Sequence, residues 1–262
     1  MSDRSLAPAW RELRARGRTA LIPYLTAGHP TPAASLDALR RVAPLADVVE
    51  VGVPFSDPLA DGPVIQRSTF GALQQGMTLA KTLDLVAEAR IERPVVLFSY
   101  LNPVRRYGIA RFLKDAAAVG VAGLLLTDLP AGGDPAIEAA LAASSLDLIR
   151  LVTPTTTPER MTVALNGARG FVYAVARLGV TGMSADVAAD LGTTVARVRQ
   201  ATDLPVAVGF GISTADQARQ VARLADGVVV GSALVDRLER EGAAGAETFL
   251  RGLRLALDEG VA

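Results

Sequence analysis

Short apolar runs of four to eight residues alternate with longer amphipathic segments along the whole chain, and this alternation is the strongest constraint on its fold. The runs predict strands over Ala20–Leu25, Asp47–Val51, Val95–Tyr100, Gly123–Thr127, Asp147–Val152, Gly170–Ala174, Pro205–Gly209 and Gly227–Val230. Helix-like segments follow them, among them Ala33–Val42, Ile109–Val119, Pro158–Asn166, Thr193–Thr202 and Ala215–Leu224. Strands that read as continuous Val, Leu and Ile suit a parallel sheet buried on both faces. Eight β-α repeats in 262 residues are what a closed parallel barrel requires, so the fold class is α/β, a (β/α)8 TIM barrel in a single domain over residues 1–262. A leading helix, about residues 4–17, carries Trp10 and Leu13 and is expected to plug the barrel bottom. Thr157-Pro158-Glu159 reads as a helix N-cap followed by proline, and Ser213 with Asp216 as a capping box. The rival is a doubly wound open sheet; its Gly-x-Gly-x-x-Gly turn is missing, since the first run is followed by Thr26-Ala27-Gly28-His29-Pro30.

Composition excludes several chemistries. With no cysteine there is no disulfide, thiolate nucleophile or Cys-ligated metal. The single histidine, His29, leaves no His-cluster metal site and makes a Ser-His-Asp triad implausible; in its loop it reads as a solvated polar residue. Only Lys81 and Lys114 are lysines, and both fall in helical segments, which argues against a Schiff-base aldolase. Zero formal net charge implies no general attraction to nucleic acid or to an anionic membrane. No apolar run approaches the roughly 20 residues that span a bilayer, and Met1–Arg18 is too charged for a secretory signal, so a cytoplasmic location is expected.

In a barrel of this kind chemistry sits where strands end and βα-loops begin. The second strand ends Val48-Val49-Glu50-Val51-Gly52, and alternation puts Val48 and Glu50 on one face, Val49 and Val51 on the other. A carboxylate in an apolar strand is costly unless paired or used, so Glu50 is either a structural salt-bridge partner or an acid–base group with a raised pKa. The proline-rich loop after it brings Asp61 eleven residues later, enough chain to fold back over the mouth and give a carboxylate pair. Asp57 reads as a loop cap, and Asp61-Gly62 alone would read as a turn. Glycines at three consecutive strand ends, Gly179-Val180-Thr181-Gly182, Gly209-Phe210-Gly211 and Gly231-Ser232, suit a phosphate bound by main-chain N–H groups with the Ser232 hydroxyl as a further donor.

Glu50-Val51-Gly52-Val53-Pro54-Phe55-Ser56-Asp57-Pro58-Leu59-Ala60-Asp61-Gly62-Pro63 closely resembles the signature of the tryptophan synthase alpha subunit family. The resemblance continues through Pro23-Tyr24-Leu25-Thr26-Ala27-Gly28, Tyr100-Leu101-Asn102-Pro103, Asp128-Leu129-Pro130 and the glycine turns. It implies cleavage of indole-3-glycerol phosphate to indole and glyceraldehyde 3-phosphate, with Glu50 as general acid–base and Asp61 accepting from the indole N–H. It implies phosphate binding at Gly182, Phe210, Gly211, Gly231 and Ser232, and an indole pocket and mouth formed by Tyr24, Phe98, Leu125, Tyr173 and Thr181. It also implies a beta subunit as partner in an alpha2beta2 tetramer, with pyridoxal phosphate on that partner only and neither cofactor nor metal on this chain. Loops 53–63 and 177–192 are expected to order over ligand. Two departures stand out: His29 where many relatives carry an acid near the expected partner contact, and Ala176 where serine is common. Against these expectations stand another phosphate-binding barrel enzyme, whose synthase variant would place lysines at strand ends, and a non-catalytic activator, which would not need both carboxylates.

Overall fold

A computed structural model of the chain describes residues 5–176, 185–209 and 211–259, and the side chains of 185–189 are not among what it describes. Eight parallel strands run β1 Ala20–Thr26, β2 Val49–Gly52, β3 Val95–Ser99, β4 Val121–Leu126, β5 Asp147–Val152, β6 Val172–Val175, β7 Val206–Gly209 and β8 Gly227–Val230. Each pairs with the next, and β8 pairs with β1 in the register Leu21 to Val228, so the sheet closes and the open-sheet alternative falls away.

Strand alternation sorts the apolar residues into two shells. Ile22, Val48, Val96, Leu125, Ile149, Phe171 and Val229 fill the barrel, while Leu21, Val49, Val51, Leu97, Leu124 and Val228 meet the surrounding helices. The helix Leu6–Ala15 closes the bottom: Leu6, Trp10 and Leu13 are buried in the inner cluster, and the Trp10 ring lies 5.5 Å from that of Phe171. Gly227 makes room for this plug, because a Cβ there would stand 2.9 Å from the Trp10 ring.

Several boundaries differ from the sequence reading. Strand β6 starts at Val172, two residues late, because Gly170 turns with φ of 76°. Asp47 lies before β2; its N–H bonds Leu21 O at 3.0 Å, and its carboxylate, not its carbonyl, takes the Leu21 N–H. Residues 185–192, expected as loop, belong to the helix Ala185–Ala201; the rest of that expected loop, 177–184, lies outside the described residues. The capping box is shifted by one: Thr214, not Ser213, caps the helix Ala215–Ala222, and Gln217, not Asp216, completes it. Thr157 does precede the helix Pro158–Ala164, with Pro158 at the first position but without a side-chain cap bond. His29 is buried, not solvated, and neither ring nitrogen has a partner among the described residues. Burial holds its pKa below the ordinary value.

At the bottom rim, Asp47 Oδ2 accepts from Leu21 N–H and from Arg254 Nη1, both at 2.9 Å, tying the closing helical segment Ser232–Glu259, which breaks at Gly242, to β1 through its second half. Both charged groups are buried. Removing Asp47 takes away one buried partner while Arg254 keeps Asp258 at 2.7 Å, so Asp47→Ala is expected to lower unfolding free energy by about 2 kcal/mol. Urea denaturation checks this, and the folded fraction should keep its activity because the site is at the opposite end.

Candidate active site

The C-terminal ends of the strands surround a partly enclosed cavity of about 110 Å³. Glu50 enters it from β2, where Tyr24 on β1 and Val96 on β3 are its register partners. It is 1 % exposed, and neither carboxyl oxygen has a hydrogen-bond or salt-bridge partner among the described residues. Burial without a compensating partner disfavours the ionised form and pushes its pKa up to about 8.

Asp61 lines the same cavity from the loop between β2 and the helix Pro63–Gln74. The loop turns back on itself through Leu59 N–H to Asp57 O at 2.9 Å and Asp61 N–H to Pro58 O at 3.1 Å, with Ser56 bonded to Asp57. Burial pushes Asp61 up to about 6, opposed by a hydrogen bond from the Tyr100 phenol. The two carboxyls therefore differ: near neutral pH Glu50 is mostly protonated and Asp61 mostly ionised.

Three aromatic rings line the same cavity. Phe98 on β3 meets Tyr24 edge-on at 5.5 Å and Tyr173 at 6.5 Å. Each tyrosine rests on a glycine of the next strand: a Cβ on Gly52 would stand 2.0 Å from the Tyr24 oxygen, and one on Gly209 would stand 2.1 Å from that of Tyr173. Any side chain at either position would drive a ring into the cavity, which is why the strand ends carry glycine. Tyr24 is held further by Thr26 Oγ1 at 3.4 Å, itself 2.7 Å from Ser68 Oγ. Burial raises both phenol pKa values, so neither tyrosine ionises in the working range.

At the far rim lie Gly211, Gly231 and Ser232. Gly211 has φ of 79°, open to glycine at no steric cost. Ser232 begins the helix Ser232–Glu259, whose first-turn N–H groups face the mouth from the end of β8. Thr181, Gly182 and Phe210 lie outside the described residues.

The sequence reading thus meets the cavity at Glu50, Asp61, Tyr24, Phe98, Tyr173, Gly211, Gly231 and Ser232. Leu125 is a correction: fully buried in the inner cluster, it is covered by neighbours such as Phe98, Leu151 and Tyr173, which form the wall instead. Leu151 and Val229 were missed although two-residue alternation puts them on the face of Tyr24 and Glu50, and Thr127 although it follows a strand end. Ile65, on the helix after the loop, left no periodic signal. Among the described residues no group of three His, Cys, Asp or Glu side chains is placed to hold a metal ion, and no helix is long and apolar enough to cross a membrane.

A family profile described as tryptophan synthase alpha chain matches residues 10–257. The tryptophan synthase alpha chain of Synechococcus elongatus is 45 % identical over 260 residues, covering 97 % of each chain. A Mycobacterium tuberculosis tryptophan synthase structure superposes with a TM-score of 0.89 at 40 % identity, covering 96 % of this chain and 97 % of that one. The alpha subunit from Legionella pneumophila superposes with a TM-score of 0.88 at 33 % identity, covering 97 % of this chain and 98 % of that one.

Proposed function

This chain belongs to the tryptophan synthase alpha chain family and cleaves indole-3-glycerol phosphate to indole and glyceraldehyde 3-phosphate; we propose that Glu50 and Asp61 perform that cleavage. The observation that carries the proposal is a buried carboxyl, unpartnered among the described residues, sharing one cavity with a second carboxyl of lower pKa.

The bond to be broken joins indole C3 to a hydroxyl-bearing carbon. Protonated Glu50 gives its proton to C3, and the resulting iminium ring becomes the electron sink. Ionised Asp61 accepts the N–H hydrogen bond and stabilises the positive charge there, which is worth most where water is excluded. The Glu50 carboxylate then takes the hydroxyl proton, the O–H electrons form the aldehyde, and the C–C electrons return to the ring. The proton count closes on Glu50. Because the protonated ring supplies the sink, no cofactor is asked of this chain, and any pyridoxal phosphate belongs to the partner.

Tyr24, Phe98 and Tyr173 flank the ring, with Leu125 supporting them from the core. The phosphate sits against Gly211, Gly231 and Ser232; the family resemblance assigns Gly182 and Phe210 to the same phosphate site and Thr181 to the mouth. The solved relatives described as tryptophan synthase support a beta subunit as partner; the reading adds an alpha2beta2 tetramer, a cytoplasmic location and a single domain over 1–262. An assay of indole release from indole-3-glycerol phosphate, with and without a beta subunit, tests the whole reading: absence of release in both arms overturns it. Ser232→Ala should raise KM about tenfold, one lost hydrogen bond to a charged group, with kcat nearly unchanged; an unchanged KM removes Ser232 from the phosphate site.

A further inference from the structure

We propose that Thr26 and Ser68 are positioning residues, a buried pair of hydroxyls that pins the helix Pro63–Gln74 to β1 and so sets the stretch of cavity wall formed by Tyr24 and Ile65. The inference rests on the reading of this cavity as the indole site.

Two periodicities bring the pair together. Thr26 lies two residues after Tyr24 on β1 and shares its face of the strand; Ser68 lies three residues after Ile65 and shares its face of the helix. Tyr24 and Ile65 line the cavity and pack in one cluster with Val235. Thr26 and Ser68 do not line it: each is 1 % exposed, and their Oγ atoms stand 2.7 Å apart, an ordinary O–H···O distance. Each hydroxyl has one proton. That of Thr26 goes to the Tyr24 oxygen at 3.4 Å, so the proton between the two Oγ atoms is that of Ser68, shared with the Ile65 carbonyl at 2.8 Å. The network therefore ends on both wall residues, and its shortest bond is the one that crosses from strand to helix.

Burial alone does not call for a polar pair here. Valine and alanine would fill nearly the same space, but apolar contact is non-directional, and a helix held only by it would slide along β1 at little cost. A hydroxyl pair fixes distance and direction, because a slide leaves buried hydroxyls short of a partner. Among the described residues no other side-chain hydrogen bond joins this helix to a strand; Gln66 bonds the carbonyls of Pro58 and Asp61, which ties the helix to its own loop and not to the barrel. Tyr24 is already set on the strand side, edge-on to Phe98 at 5.5 Å and over Gly52. The width of the slot then depends on where the helix places Ile65, and the Thr26–Ser68 bond determines that.

Thr26→Val keeps the shape of the side chain and deletes the hydroxyl. We expect KM for indole-3-glycerol phosphate to rise about five- to tenfold, the worth of one buried neutral hydrogen bond, with kcat nearly unchanged, because the wall holds the ring alike before and during cleavage. The Kd of indole should rise by the same factor, and that of glyceraldehyde 3-phosphate should stay, since its phosphate is held at the far rim. Thr26→Ser restores the hydroxyl without the methyl group and should return KM to near the parent value. Ser68→Ala should reproduce the rise, and the double variant should match Thr26→Val, since both substitutions delete the same bond. An unchanged KM in Thr26→Val, an equal loss in Thr26→Ser, or weakened binding of both products overturns the inference. Should Thr26→Val fail to fold, Ser68→Ala carries the same test with the same adverse outcomes. A parent chain that releases no indole overturns the reading of the cavity itself, whereas an active parent beside an unaffected variant overturns only the positioning role.

Discussion

Glu50→Gln is expected to reduce indole release by about 10³–10⁴-fold, the upper range for removal of a general acid–base group, while substrate binding stays within a few-fold of the parent. Glutamine has the shape of a protonated glutamic acid and still donates from its amide, so the cavity wall between Tyr24 and Val96 is preserved. It can neither protonate C3 nor take up the hydroxyl proton. Turnover within tenfold of the parent would remove Glu50 from the chemistry. The same variant should be more stable than the parent, and the sign follows from the raised pKa. Folding favours the neutral acid, so the contribution of Glu50 is fully favourable below its ordinary value of 4.5 and is lost as pH rises toward about 8. Glutamine is neutral throughout. Its advantage should be absent near pH 4, grow through pH 7 and reach about 2–3 kcal/mol by pH 8, discounted for water in the cavity. Denaturation curves at the two ends of this window check it; an equal gain at both would assign the effect to packing rather than to charge.

The residues that fail the local rules of the chain were its most readable ones. A glutamate in Val48-Val49-Glu50-Val51 has no place in a strand buried on both faces, and two-residue alternation alone turned it inward. The eight strands were legible for the same reason: parallel strands in a barrel read as unbroken apolar runs, and β5 and β8 fall on the predicted bounds. What sequence could not give depends on neighbours far along the chain. His29 lies close to Gly71 of the helix Pro63–Gln74 and feels Glu239 of the closing helix, elements whose approach no local pattern encodes. Leu125 has the right alternation, but Phe98 and Tyr173 are large enough to cover it. Tyr100 stood in plain view at a strand end; only the folded loop shows that the Ala60 N–H comes to its hydroxyl. Gly52 reads only as the end of the second strand and Gly209 as part of a phosphate-binding turn, yet each also accommodates a tyrosine oxygen from the preceding strand.

Asp61→Asn is expected to lower kcat/KM by about 10³-fold, comparable with removing a preorganised group that faces developing charge in a water-excluded site. The asparagine carbonyl still accepts from the indole N–H, so binding should weaken by far less than turnover. What is lost is the full negative charge beside a ring that carries a positive charge only at and after C3 protonation. The pH dependence gives this loss a distinctive form. Activity in the parent needs Asp61 ionised, so it should fall as pH drops through about 6; it needs Glu50 protonated at the start, so it should fall again as pH rises through about 8. In Asp61→Asn the acidic limb should vanish, since asparagine does not titrate, while the basic limb remains. An acidic limb that survives the substitution unchanged would belong to another group, and Asp61 would then be a loop residue that the cavity merely exposes.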